Sequence, residues 1–167
     1  IKPVVYVCNV DEDSAVDGNE FTKKIDEYAE KNNSEDLLVS AKIESEISQI
    51  TDENEKKEFL ESLGLVETGL KRVIRKGYEI LNYINFFTAG EKELRAWTIV
   101  KGSLAPTAAG TIHSDMEKGF IRAETISYDD YIEFKGEAGS KEKGKLRLEG
   151  KEYIVQDGDV MHFLFNV

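Results

Sequence analysis

Two short polar segments each follow an apolar run, where a strand ends and a loop begins. Asn9-Val10-Asp11-Glu12 follows Pro3-Val4-Val5-Tyr6-Val7-Cys8, and Ser40-Ala41-Lys42 follows Asp36-Leu37-Leu38-Val39. An Asn amide donates and accepts, a carboxylate only accepts, and the turn after a strand offers backbone N–H groups. In open α/β sheets, ligands bind beside such carboxyl ends of strands. Alone, Asn-x-x-Glu also fits a helix-entry loop and Ser-Ala-Lys a plain strand-to-helix turn.

Other candidates for chemistry read as structure. Gly139-Ser140-Lys141-Glu142-Lys143-Gly144-Lys145 matches the GxxxxGK phosphate-binding pattern. Leu146 comes next, with no hydroxyl for magnesium, and no buried strand feeds the loop. A solvated lysine-rich loop is the expectation. His113 and His162 lack the close pairing of metal ligands, so no metal site and no catalytic residue are assigned. His113-Ser114-Asp115 is no Ser/His/Asp triad, because three consecutive side chains do not converge as the roles require. Lys141, Lys143, Lys145 and Arg147 form a basic cluster that is a candidate contact for RNA or another partner. Acids interrupt it, so a charge-mixed solvated face is the alternative. Trp97 and Phe120 offer stacking surface, although aromatics in strands are more often core.

The elements that must position these residues fall into two halves. Val4 to Cys8 reads as a strand buried on both faces. Glu20 to Lys31 is helical, with Phe21, Ile25, Tyr28 and Ala29 on one face. Asp36 to Val39 is a second buried strand, completing a βαβ unit. A helix starts at Thr51-Asp52, where Asp52 and Glu55 resemble a capping box, and runs to about Leu63. Thr68 caps another, with Leu70, Val73, Ile74, Tyr78 and Leu81 as an apolar stripe. In the second half, Ile84–Thr88 and Glu93–Val100 form a hairpin around Ala89-Gly90-Glu91-Lys92. A short helix follows, with Pro106 in its first turn and Gly110 at its end. Phe120 to Tyr128 is a strand, and Leu146–Val155 with Val160–Val167 form a closing hairpin around Asp157-Gly158-Asp159. Hairpin, helix, strand, hairpin is the order of a β-grasp.

Composition bounds the partners. The 167 residues carry 22 basic and 33 acidic side chains, a net charge of −11. An acidic balance argues against indiscriminate nucleic-acid binding, and no DNA partner is expected. No apolar run approaches the length of a membrane span, so no membrane partner is expected either. A lone cysteine, Cys8, fits a reducing cytosol. The chain begins at Ile1 inside an apolar run, which reads as a piece of something longer.

Phe86-Phe87-Thr88-Ala89-Gly90, Arg95-Ala96-Trp97-Thr98, Ala108 to Asp115, Glu117 to Glu124 and Asp157 to Phe163 together resemble the TGS domain of the YchF/Obg-like ATPases, within the Obg-related P-loop GTPase superfamily. The resemblance implies an α+β chain: residues 82–167 a TGS β-grasp (ubiquitin-like) domain, residues 1–81 the last βαβ and helical part of a doubly wound P-loop nucleotide-binding domain. It gives the opening loops a role. GTP-binding proteins carry Asn-Lys-x-Asp, whose Asp accepts from guanine's ring N–H and amino group. Here Val10 stands for the Lys and Glu12 for the Asp, a departure similar to that of ATP-accepting members. Asn9, Val10, Glu12, Ser40, Ala41 and Lys42 are then the base-side contacts. The resemblance further implies ATP, or less well GTP, with Mg²⁺ in the intact protein, a ribosomal or ribosomal-RNA partner, and a cytoplasmic location. This stretch alone, without a phosphate-binding loop, is expected not to hydrolyse nucleotide. A ubiquitin-like protein-interaction or small-molecule regulatory module is the alternative.

Overall fold

A computed structural model describes residues 2–90 and 93–166. The chain divides into two compact units, residues 1–81 and 82–167.

In the first unit, β1 (Val5–Asn9), α1 (Glu20–Lys31) and β2 (Glu35–Val39) form the expected βαβ crossover, with β1 and β2 parallel in register from Val5 opposite Glu35 to Asn9 opposite Val39. The start of α1 is set by Asn19, whose Oδ1 accepts from the Phe21 and Thr22 N–H groups, while Thr22 Oγ1 accepts from the Asn19 N–H. That reciprocal box is at Asn19, not at Asp52. Asp52 caps α3 (Glu53–Ser62) from one side, accepting from Asn54 and Glu55. Between them lies α2 (Ala41–Ile47), and α4 (Gly69–Ile80) follows, with Thr68 Oγ1 accepting from Lys71 N–H. The core is small: Ala15, Ile43, Ile47 and Leu60, with Val10, Phe59, Leu63 and Leu65 packed against it. β1 corrects one expectation. Val4, just before β1, and Val7 within it are exposed, so β1 is not covered on both faces.

The second unit wraps a five-stranded mixed sheet on one helix. Its strands are β3 (Tyr83–Ala89), β4 (Leu94–Val100), β5 (Phe120–Ile126), β6 (Arg147–Glu149) and β7 (Val160–Phe165), in the order β4-β3-β7-β5-β6. β3 and β4 form the expected antiparallel hairpin. Glu91 and Lys92 of its turn lie outside the described residues, as does Val167 at the end of the last strand. The expected closing hairpin is absent. β6 pairs with β5, whereas β7 inserts between β3, in parallel, and β5, antiparallel. The turn before β7 is tied to β3 instead: Asn85 N–H donates to Asp157 Oδ1 at 2.8 Å and Phe87 N–H to the Asp159 carbonyl at 2.8 Å.

α5 (Ala105–Ile112) fills the concave face with Ala105, Ala108 and Ala109, small enough to approach Phe86, Ile99, Phe120, Ala123, Met161 and Phe163 closely. Gly110 does not end this helix. It lies inside it, where a Cβ would come within 2.5 Å of the Glu117 carboxylate on α6 (Ser114–Lys118). The chain turns at His113, whose Nδ1 accepts from the Asp115 N–H. β5 stops at Ile126, short of Tyr128, because Ser127 caps α7 (Tyr128–Glu133) by accepting from the Asp130 N–H.

The lysine-rich stretch is likewise not a free loop. Residues Glu137–Glu142 are a helix, α8, with Ser140 fully buried and its hydroxyl donating to the Gly136 and Asp130 carbonyls. Helix, turn and then strand is the reverse of a phosphate-binding loop's strand, loop and helix.

Candidate functional site

Parallel pairing delivers the two opening loops to one place. Asn9 lies opposite Val39, and the Val10 N–H donates to the Val39 carbonyl at 2.9 Å. The strands therefore release residues 9–12 and 40–42 side by side. Asn9 Oδ1 accepts from the Ala41 N–H at 3.0 Å, and Lys42 Nζ donates to Glu12 Oε2 at 2.6 Å. That hydrogen bond to Glu12 raises the Lys42 ammonium above its ordinary value. Asp11 closes the loop locally, accepting from the Ser14 N–H at 2.9 Å.

The six expected base-side residues are thus brought together, in different postures. Ala41 and Lys42 are the first turn of α2, not a loop, and Ser40 is the residue preceding it. Ser40 is 4% exposed, and its hydroxyl has no partner among the described residues. A buried hydroxyl without a partner is uncommon, and this one lies under the surface of the turn, out of reach of the loop's open side. Val10 is turned the other way, against the Ile43, Ile47 and Leu60 cluster. The arrangement therefore offers an amide and a carboxylate–ammonium couple at adjacent strand ends. Among the described residues no three His, Cys, Asp or Glu side chains converge as a metal site.

Glu44 anchors this loop system. Its carboxylate accepts from the Gly69 N–H at 2.6 Å and the Leu70 N–H at 3.3 Å, pinning the start of α4 to α2. Its separation of 25 residues from Gly69 leaves no local signal for it in the sequence.

The expected basic cluster is split by its own partners. Lys145 Nζ pairs with Asp130 at 3.0 Å. Arg147 lies along Glu149 and reaches the Tyr153 hydroxyl at 3.0 Å and the buried Asp159 at 3.3 Å. The Tyr153 hydroxyl donates to Asp159 at 2.7 Å; burial first, then Asp159, pushes its pKa up to about 12. Arg147 is thus a structural residue that locks the segment before β7. Lys141 and Lys143 are exposed and have no ion pair among the described residues. Phe120 belongs to the core, while Trp97 is only half-buried.

Two parallel strands ending in a joined pair of loops, with a mixed five-stranded sheet in a separate unit, define a mixed α+β protein of two units. The family model YchF-GTPase_C, described as "Protein of unknown function (DUF933)", matches residues 83–166. The chain belongs to this YchF family. It is 58% identical over 167 residues to the "Ribosome-binding ATPase YchF" of Pasteurella multocida, covering 100% of this chain and 46% of that one. The Bacillus subtilis protein of the same name is 57% identical over 168 residues, covering 99% and 46%. Among solved structures, the Schizosaccharomyces pombe YchF GTPase superposes with a TM-score of 0.82 at 36% identity, covering 97% of this chain and 43% of that one. The chain thus spans about half the length of the curated relatives it matches.

Proposed function

We propose that this chain is the C-terminal part of a YchF-type nucleotide-binding protein. Its first unit is the end of the doubly wound nucleotide-binding domain and supplies the base side of the site. Its second unit is a TGS β-grasp module that meets the ribosome in the cytoplasm. The observation that carries the nucleotide reading is the double link across the two strand ends, Asn9 to Ala41 and Lys42 to Glu12. The names of relatives divide between ATPase and GTPase, so base choice rests on the residues. ATP is preferred because Glu12, longer than Asp and engaged by Lys42, is drawn away from guanine's N–H groups, while adenine has no ring N–H to lose. Asn9 and the backbone of Ser40 and Ala41 would hold the base. Phosphates and Mg²⁺ would take their contacts outside residues 9–12 and 40–42, since this sequence carries no phosphate-binding loop with its magnesium-binding hydroxyl. Bound nucleotide would supply the reactive phosphoryl group; these residues only orient and select.

The test uses the full-length protein carrying this segment. Lys42→Gln with Glu12→Asp should shift the ratio of ATP to GTP affinity toward GTP by about tenfold, the value of one charge-assisted contact. Val10 is left alone because it packs in the core. An unchanged ratio, measured by calorimetry for both nucleotides, would mean that the couple does not face the base.

The ribosome reading rests on the relatives' name and on the exposed Lys141 and Lys143, with Lys145 and Arg147 contributing little because of their internal partners. Replacing Lys141 and Lys143 by Glu should weaken ribosome pelleting and flatten its salt dependence by about one log unit per lost phosphate contact. Unaltered pelleting across a salt series would exclude this face.

A further inference from the structure

The second unit holds a cleft that neither loop pair nor basic cluster touches. β3 stops at Ala89, whereas β7, in register with Phe87 opposite Val160, runs on to Phe165. The sheet therefore opens between the β3–β4 hairpin and the last part of β7, leaving a cavity of about 630 Å³. Ile112, Met116, Phe163 and Phe165 give it apolar walls, and Phe165 remains exposed.

The polar side is built by cross-strand pairs on the same sheet face, Thr88 opposite Arg95 and Phe86 opposite Trp97. Trp97 Nε1–H donates to Thr88 Oγ1 at 2.9 Å, which fixes the indole. The Arg95 guanidinium lies over that ring, 4.0 Å from its centroid. No carboxylate pairs with Arg95 among the described residues, although Glu93 and His162 also line the rim. A guanidinium laid on an aromatic ring is preorganised, and its donors suit carboxylate or phosphate oxygens.

We propose that this cleft is a binding site for a small planar organic anion, an aryl carboxylate or aryl phosphate. Its volume lies in the range of ordinary small-molecule pockets, which combine apolar walls with a few placed polar groups. The apolar walls disfavour a bare inorganic ion, and Arg95 disfavours a neutral ligand relative to an anionic one. The aromatic lining, Trp97 beneath the guanidinium and Phe163 and Phe165 on β7, favours a ring over an aliphatic anion.

Trp97 is the chain's single tryptophan, so its indole N–H gives one resolved signal in a ¹⁵N-labelled sample of the whole chain. Phenyl phosphate should shift that signal saturably, together with the Ile112 and Met116 methyl groups. Benzyl alcohol should bind about tenfold more weakly, the loss of one charge-assisted contact. Inorganic phosphate should leave the signals in place. Arg95→Met keeps the apolar stem over Trp97; it should weaken phenyl phosphate about tenfold and leave benzyl alcohol unchanged. Arg95→Lys should fall between, because it keeps the charge without the plane. The proposal is overturned by equal binding of benzyl alcohol, by an inorganic phosphate response, by an Arg95→Met variant that binds phenyl phosphate like wild type, or by no saturable shift.

Discussion

The second unit closes its sheet over α5 so completely that Phe86, Ala105, Ala108, Ala109 and Ala123 are all 0% exposed, whereas the first unit leaves Phe21 66% and Leu70 59% exposed. Both units carry amphipathic helices, so sequence pattern does not separate them. The difference lies in what each apolar face meets. α5 meets β3, β4, β5 and β7, while Leu70 and Ile74 on α4, Leu81 just after it, and Phe21 and Tyr28 on α1 are exposed. Apolar area stabilises only when it is removed from water, at about 25 cal/mol per Å². Residues 9–12 and 40–42 therefore sit on the unit with less internal consolidation, and the cleft sits on the unit with more.

Truncating the centre of each core gives the sharpest test of this contrast. Phe86→Ala removes a fully buried ring that packs edge-on against Phe163. It should cost about 3–5 kcal/mol, read from denaturation followed by Trp97 fluorescence. In the first unit, Ile43→Ala should cost about 2–5 kcal/mol, while Leu70→Ala should stay within about 0.5 kcal/mol because Leu70 is already in solvent. Far-ultraviolet circular dichroism reports both units, and Trp97 the second alone. A large loss at Leu70 would show that its face is covered in solution and would erase the comparison.

Asp159 tests whether the second unit's order depends on polar as well as apolar burial. It is 2% exposed and accepts from Arg147, Tyr153 and the Gln156 N–H. Asp159→Ala strands all three donors and should cost about 2–3 kcal/mol. A cost below about 0.5 kcal/mol would show that water replaces the carboxylate.

Legibility in the sequence followed the same division between local and distant causes. α1 was readable to its ends because its apolar spacing and its cap are both local, and the β3–β4 hairpin because its strands are adjacent. The last two strands were misread, since β7 pairs not with β6 but with β5 and with β3, the latter some 70 residues away in chain order by the Asn85–Asp157 contact. α8 was expected to be a solvated loop because its lysines and glycines fit a surface turn once the phosphate-loop pattern was set aside. It forms because Gly139 leaves room for the Phe134 carbonyl and Ser140 bonds back to two carbonyls. At the site, residue types were visible, but the Lys42–Glu12 couple spans 30 positions and required the parallel register. Arg95 and Trp97, two apart in a strand, did share a face by alternation alone, a signal passed over in favour of the lysines.

The smallest effect concerns the Tyr153 hydroxyl, which binds Asp159 while receiving a donor from Arg147. Its pKa is raised from 10.0 to about 12, by burial first and by the Asp159 hydrogen bond next. A group with a raised folded pKa holds its proton more tightly in the fold, so its contribution is complete below the unfolded value near 10. That contribution is lost as pH rises from about 10 through about 12. Tyr153→Phe removes the titration together with one hydrogen bond, and should cost about 1 kcal/mol at neutral pH. Partial exposure of the ring keeps the alkaline part modest. Thermal melts of wild type should fall toward those of Tyr153→Phe as pH climbs past 10, and the two curves should converge at the alkaline end. Parallel curves would place the hydroxyl in water, and the lock before β7 would then rest on Arg147 and Asp159 alone.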